Sequence, residues 1–321
     1  MSRAPALPPA ARRVLAGDRR TLARLISAIE NRDPEALGIV RALYPHTGHA
    51  TVVGLAGPLG VGKSSLINAL LRHLRASGRK VGIIAVDPSS PFTGGSVLGD
   101  RIRVERTTGD EGVFFRSMAS RGHAGGVAAA TREVVRLLDA FGMDVVLIET
   151  VGSGQVDVEI RDVATTSVVV LVPHLGDEVQ TLKAGLFEIA DVFCVNKGDL
   201  PAAEESARDL LELVTLGGAA KGWRSAIVTT STVTPSGIPE LWAAVEAHEA
   251  YLSSTGKRQD EERRRITQEI VGIVRDRVER SVTEALASDP KLSRLIDQVV
   301  ARSIDPHSAA DRLLLHRRLF S

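Results

Sequence analysis

Hydrophobic positions along the chain change period twice. From about Ala11 to Ala42, Leu22, Leu25, Ile26 and Ile29 fall on one face of a helical repeat with Arg, Asp and Glu opposite, which predicts a helical N-terminal extension over residues 1–48. Tyr44-Pro45-His46-Thr47-Gly48 breaks that pattern. The apolar run Thr51–Ala56 then leads into glycine, as a buried parallel strand does. Comparable runs recur at Val81–Val86, Val113–Phe115, Asp144–Glu149, Ser167–Val172, Val192–Asn196 and Ala226–Thr230, mostly separated by helical stretches. Strand alternating with helix predicts an α/β fold built on a doubly wound, mostly parallel sheet over residues 49–255. Beyond Ile238 the strand signal stops. Glu240–Leu252, Glu261–Ala287 and Pro290–Arg302 read as amphipathic helices, so residues 256–321 are expected to form a helical C-terminal extension.

Composition narrows the classes. Lys+Arg 40 against Asp+Glu 39 gives a net charge of +1, which is not the footprint of a nucleic-acid binder. An aromatic fraction of 3% leaves the core to aliphatic side chains. Cys194 is the only cysteine, which rules out an intramolecular disulfide or a multi-thiolate zinc site within one chain and fits a reducing cytoplasm. Met1–Arg13 lacks the apolar run of a signal peptide, and no later stretch has the length of a membrane span. A soluble cytoplasmic protein is the expectation.

The chemistry concentrates in three segments. Gly57-Pro58-Leu59-Gly60-Val61-Gly62-Lys63-Ser64 has P-loop spacing between a predicted strand and a predicted helix, and Ser65 continues it. Glycines let the backbone turn its N–H groups around phosphates, the following helix N-terminus adds positive potential, Lys63 reaches the β/γ-phosphates, and Ser64 offers a hydroxyl to magnesium. Downstream, Asn196-Lys197-Gly198-Asp199 follows an apolar strand, where the Asp199 carboxylate can accept two hydrogen bonds from N1 and the 2-amino group of guanine. Adenine lacks that donor pair. Ser231-Thr232, after the strand Ala226–Thr230, is placed for a backbone contact to the guanine carbonyl. The third segment is Glu149-Thr150-Val151-Gly152: Glu149 ends a strand and can hold a magnesium-bound water, while the Gly152 N–H faces the γ-phosphate.

Asp87, after Val81–Val86, and Asp100, closing a glycine-rich run, read equally as metal ligands or as cap and turn residues. Gly94–Asp100 and Gly152–Gln155 are candidate switches ordered by nucleotide. Gln155 is either the residue that orients the attacking water or a solvated loop amide. His123 reads as a loop or packing residue.

With these residues assembled, the chain resembles the MeaB/ArgK/MMAA family of G-protein chaperones within the P-loop NTPase fold. The likeness runs over nearly the whole sequence. It is carried by Gly57–Ser65, by Ala85-Val86-Asp87-Pro88-Ser89-Ser90-Pro91-Phe92-Thr93-Gly94-Gly95-Ser96 with Gly99-Asp100-Arg101, by Glu149–Gly152 with Gly154-Gln155, by Gly176-Asp177-Glu178 with Gln180 and Lys183, and by Asn196–Asp199. The resemblance implies GTP/GDP with Mg2+, the metal surrounded by Ser64, Asp87, Asp100 and Glu149. It implies a third switch from Asp177 to Lys183 whose Lys183 responds to the partner. It further implies an adenosylcobalamin-dependent acyl-CoA mutase as partner, such as methylmalonyl-CoA mutase, and homodimerisation through the helical extensions. Relative to the family, Thr232 replaces a common alanine, and His174-Leu175 and Val156-Asp157-Val158-Glu159 also differ. Two other activities suit a P-loop: a metallochaperone GTPase, which needs a Cys/His cluster, and a small-molecule kinase, which needs an acceptor pocket and no guanine.

Overall fold

The computed structural model describes residues 6–88, 109–120, 126–150, 159–173, 184–216 and 222–314. Two compact units divide the chain, Met1–Arg258 and Gln259–Ser321.

The first unit opens with helices α1 (Pro9–Leu15), α2 (Arg19–Glu30) and α3 (Pro34–Leu43). The periodic stretch is cut into three because Gly17 (φ 82°) and Arg32 (φ 56°) turn left-handed. Asp18 and Asp33 then restart the helix by accepting hydrogen bonds from first-turn N–H groups, with Pro34 placed where no N–H is needed.

Seven parallel strands follow, β1 (Thr51–Ala56), β2 (Val81–Pro88), β3 (Val113–Ser120), β4 (Val145–Thr150), β5 (Thr166–Leu171), β6 (Val192–Val195) and β7 (Ala226–Thr229). Their order across the sheet is β3-β2-β4-β1-β5-β6-β7. Every pairing is parallel, where the sequence pattern predicts a mostly parallel sheet. Between and after the strands come α4 (Lys63–Ala76), α5 (Gly126–Ala140), α6 (Ala184–Ile189), α7 (Ala203–Leu216) and α8 (Ile238–Ser254).

Alternation along each strand feeds two cores. On β1, Val52 and Ala56 face a cluster that includes α1–α3, α5, α6 and α7, whereas Val53 and Leu55 face a cluster with α4 and α8. The N-terminal helices thus share the core of the sheet, with Leu22 and Ile26 fully buried. They also cover the edge strand β3. Arg19 donates to the carbonyl oxygens of Glu111 and Val113, and Arg116 on β3 pairs with Glu30. Asp139 of α5 receives the N–H groups of Gly48 (2.5 Å), His49 (3.2 Å) and Ala50 (3.0 Å), which fixes how the chain enters the central strand.

The second unit is helical: most of α9 (Lys257–Ser288), then α10 (Pro290–Val300) and α11 (Pro306–Leu314). Asp305 caps α11 through the N–H groups of His307 and Ser308. Among the described residues, no helix is long and apolar enough to cross a membrane.

Because Ile26 is buried against the sheet-side core, Ile26→Ala is expected to destabilise the first unit by about 2–5 kcal/mol. Denaturant unfolding measures this directly. A midpoint unchanged from wild type would mean that α2 contributes nothing to the common core.

Candidate functional site

All seven strands end at one edge of the sheet, so the loops after β1, β4, β6 and β7 gather there, as ligand-binding loops do in doubly wound sheets. Central β1 lies between β4 and β5 and delivers Gly57–Gly62 to that edge.

Two glycines shape this loop. Gly57 has φ 143°, and a Cβ there would sit 2.3 Å from the Val170 carbonyl oxygen on β5, so no other residue lets the loop leave the strand this closely. Gly62, the N-cap of α4, has φ 93°, and its Cβ would fall 2.5 Å from Asn196 Nδ2. The loop then enters the 14-residue helix α4, whose first N–H groups have no intrahelical acceptors and bring the positive end of the helix dipole to the loop. Lys63 is only 5% exposed. Its ammonium donates to the carbonyl oxygens of Gly57 (2.5 Å) and Pro58 (2.9 Å), which holds it within the curve of the loop.

Strand register sets Glu149 beside Leu55, one residue before β1 ends. The Ser64 hydroxyl donates to Glu149 Oε1 at 2.5 Å. A hydroxyl and a carboxylate, both hard oxygen donors, therefore meet between the phosphate loop and β4.

At the far side of the edge, Asn196 follows β6 and is 1% exposed. Its Nδ2 donates to the Val61 carbonyl oxygen at 2.8 Å, and its Oδ1 accepts from the Thr230 hydroxyl at 3.1 Å. Lys197 is exposed with a left-handed backbone (φ 58°), and the Gly198 N–H donates to Thr230 O at 2.8 Å. This tight turn projects the exposed Asp199 from the end of the strand. Buried Ser231 donates its hydroxyl to Asp199 Oδ1 at 2.6 Å and itself accepts from the Thr234 N–H and hydroxyl, both at 3.2 Å. The Ser231 hydrogen bond foremost, then the aspartate's own N–H and the charge of Lys197, hold the Asp199 carboxyl below the usual carboxylate range. Asp199 is thus a fixed, ionised acceptor.

The structure brings together Gly57, Pro58, Leu59, Gly60, Val61, Gly62, Lys63, Ser64 and Ser65 with Glu149, Asn196 and, through Thr230, with Ser231 and Asp199. Leu59 is 78% exposed at the loop tip and Thr232 is half-buried. Asp87 lies near the C-terminal end of β2, a strand that runs two residues past the predicted Val86. Asp100, His123, Gly152, Gln155 and the Asp177–Lys183 segment lie outside the described residues. The sequence pattern marks Ser231 for a backbone contact, not as the hydroxyl that holds Asp199, and gives Thr230 no role in the site. The sequence signal for either is its place at the end of an apolar run, Thr230 as the last residue of the predicted strand and Ser231 just after it.

The family model "Methylmalonyl Co-A mutase-associated GTPase MeaB" matches residues 22–287 of this chain. The chain belongs to the MeaB family of GTPases. It is 46% identical over 309 residues to a Pyrococcus abyssi protein described as a GTPase, covering 94% of each chain. It is 37% identical over 256 residues to the GTPase ArgK of Escherichia coli, covering 77% of each. Among solved structures, the one titled LAO/AO transport system kinase superposes with a TM-score of 0.71 and 25% identity, covering 98% of both chains. Guanine nucleotide binding and GTP hydrolysis come with membership of the MeaB family, and in GTP hydrolysis positioning and electrostatics supply most of the catalysis.

Since Ser231 supplies the largest stabilisation of ionised Asp199, Ser231→Ala is expected to raise the Asp199 pKa toward the ordinary carboxylate value, read by carboxyl NMR titration. The sign follows from linkage. A carboxyl with a depressed folded pKa contributes stability above its unfolded pKa, and that contribution disappears as pH falls through the folded value. An unmoved titration in the alanine variant would show that Ser231 does not set the Asp199 charge.

Proposed function

We propose that this GTPase is a chaperone of an adenosylcobalamin-dependent acyl-CoA mutase, methylmalonyl-CoA mutase or a relative acting on another short branched acyl-CoA, gating cofactor loading and protecting the mutase from inactivation. The family description supports the mutase half of this reading. One observation carries the nucleotide half: ionised Asp199 is fixed by Ser231 at the end of a turn whose Asn196 is bonded to the phosphate loop.

In this reading Gly57–Ser65 with buried Lys63 hold the phosphates, Asn196, Lys197 and Asp199 with Ser231 and Thr232 read guanine, and Gly152 contacts the γ-phosphate. The Ser64 hydroxyl and the Glu149 carboxylate fit magnesium, with Asp87 and Asp100 completing the set. Magnesium, when bound, offsets negative charge on the β- and γ-phosphates. Gln155 orients the attacking water, and the Asp177–Lys183 segment answers to the partner. The GTPase domain is taken as residues 49–255, and residues 256–321 as the dimerising extension. Along α9, Ile270, Val271 and Val274 are 55–60% exposed, and Val300 of α10 is 78% exposed. Such a surface favours pairing with a second copy of the chain. The free, buried Cys194 suits a reducing cytoplasm.

Calorimetric titration with GTP, GDP and ATP in magnesium buffer should show guanine-specific binding, and an acyl-CoA mutase should stimulate GTP hydrolysis. Guanine binding without stimulation by methylmalonyl-CoA mutase or a related acyl-CoA mutase would remove the mutase half and leave the GTPase.

Asp199→Asn tests the base contact alone. A carboxamide presents one acceptor and one donor instead of two acceptors, so this variant is expected to bind GTP at least about tenfold more weakly and to accept XTP. An unchanged GTP/XTP ratio in competition binding would sink the role of Asp199.

A further inference from the structure

Beneath the guanine turn lies a polar chain that begins in two residues outside the nucleotide motifs, Cys194 and Thr230. Cys194, on β6, is fully buried, and its Sγ lies 3.1 Å from Thr230 Oγ1, which is also fully buried. Thr230 in turn lies 3.1 Å from Asn196 Oδ1, and Asn196 Nδ2 lies 2.8 Å from the Val61 carbonyl oxygen.

The donors in this chain can be assigned. A main-chain carbonyl only accepts, so the Asn196 amide must turn its nitrogen to Val61 and its oxygen to Thr230. That oxygen also only accepts, so the single Thr230 proton must go to Asn196. Thr230 then has only lone pairs left for Cys194, which makes the thiol the donor. Burial pushes the Cys194 thiol up to about 12, so it keeps this proton throughout the physiological range. The order is S–H to O–H to amide oxygen, with the amide N–H closing on the phosphate loop.

We propose that Cys194 is a positioning residue for the nucleotide site, orienting the Thr230 hydroxyl so that Asn196 stays locked between the guanine turn and the phosphate loop. The proposal rests on the reading of Asn196 as part of that site. Hydrogen bonds in series polarise one another, so the thiol strengthens the Thr230–Asn196 bond without touching nucleotide. Cys194→Val keeps an apolar side chain of similar size and removes the donor. Cys194→Ser keeps a donor in the same place.

Release of a fluorescent GDP analogue from the full-length chain tests this, with the urea midpoint of each nucleotide-free variant as a control for folding. Cys194→Val is expected to speed release about 3- to 10-fold, while Cys194→Ser stays within about twofold of wild type. Combined with Thr230→Val, the valine at 194 is expected to add nothing further, since the chain is already cut. Equal release from the Val and Ser variants, or additive effects in the double variant, would overturn the proposal. Should Cys194→Val not fold, Cys194→Ala against Cys194→Ser decides in the same way. Asn196→Ala separates the two levels. Unchanged GDP release there would reject the site reading itself, whereas rapid release with silent Cys194 variants would reject only the relay.

Discussion

The nucleotide site depends on one carboxamide. The phosphate loop leaves β1 and the guanine turn leaves β6, and β5 stands between them in the sheet. The Asn196 side chain crosses that gap, giving its N–H to Val61 and its oxygen to Thr230. Its position explains the residue opposite. With Asn196 Nδ2 only 2.5 Å from where a Cβ on Gly62 would lie, a side chain at position 62 would have to displace the amide, in a backbone conformation that already disfavours one. Gly62 also begins α4, so the same contact sets where the positive end of that helix and the buried Lys63 stand.

That arrangement needs a sheet whose strand ends do not shift against one another. The central strands β1, β4, β5 and β6, buried on both faces, supply this, and the two cores draw on alternate residues of the same strands. The N-terminal helices belong to this support, since their apolar faces join α5 on one side of the sheet. Asp139 pins residues 48–50 just before β1, so the strand that carries the phosphate loop is held at its start by a carboxylate and at its end by Gly57 against Val170.

Much of this was legible in the sequence for a physical reason. Central strands buried on both faces, such as β1, β4, β5 and β6, read as continuous apolar runs, the edge strands β3 and β7 still carry short apolar runs, and glycine spacing with strand-end Asn-Lys-x-Asp marks the two loops. Ends were less legible. β3 runs to Ser120 because it pairs with β2 along its whole length, through Arg116 and Ser117 where the apolar pattern lapses. The division of the first forty residues into three helices is written in Gly17-Asp18 and Asp33-Pro34, a local signal that the helical period overrides when read over a long window. The nine-residue helix α11 is too short for periodicity to declare it. Least legible were Thr230 and the Ser231 hydroxyl, because their roles lie in partners about thirty residues away across a strand pair, Asn196 and Asp199.

The C-terminal helices pose a different constraint. α9 is 32 residues long, and among its described residues none is buried. Local pairs such as Arg264 with Glu261 and Gln268 each contribute only a few tenths of a kcal/mol, and exposed ion pairs little more. A helix of this kind draws most of its stability from packing an apolar face, yet Ile270, Val271, Ile273 and Val274 are at least 40% exposed. The proposed dimer supplies a packing surface for these side chains. A second copy meets that need with the same stripe on both sides, since a two-fold interface is self-complementary. In the proposed dimer, a long helix with no buried residue among those described would be the one stabilised by assembly.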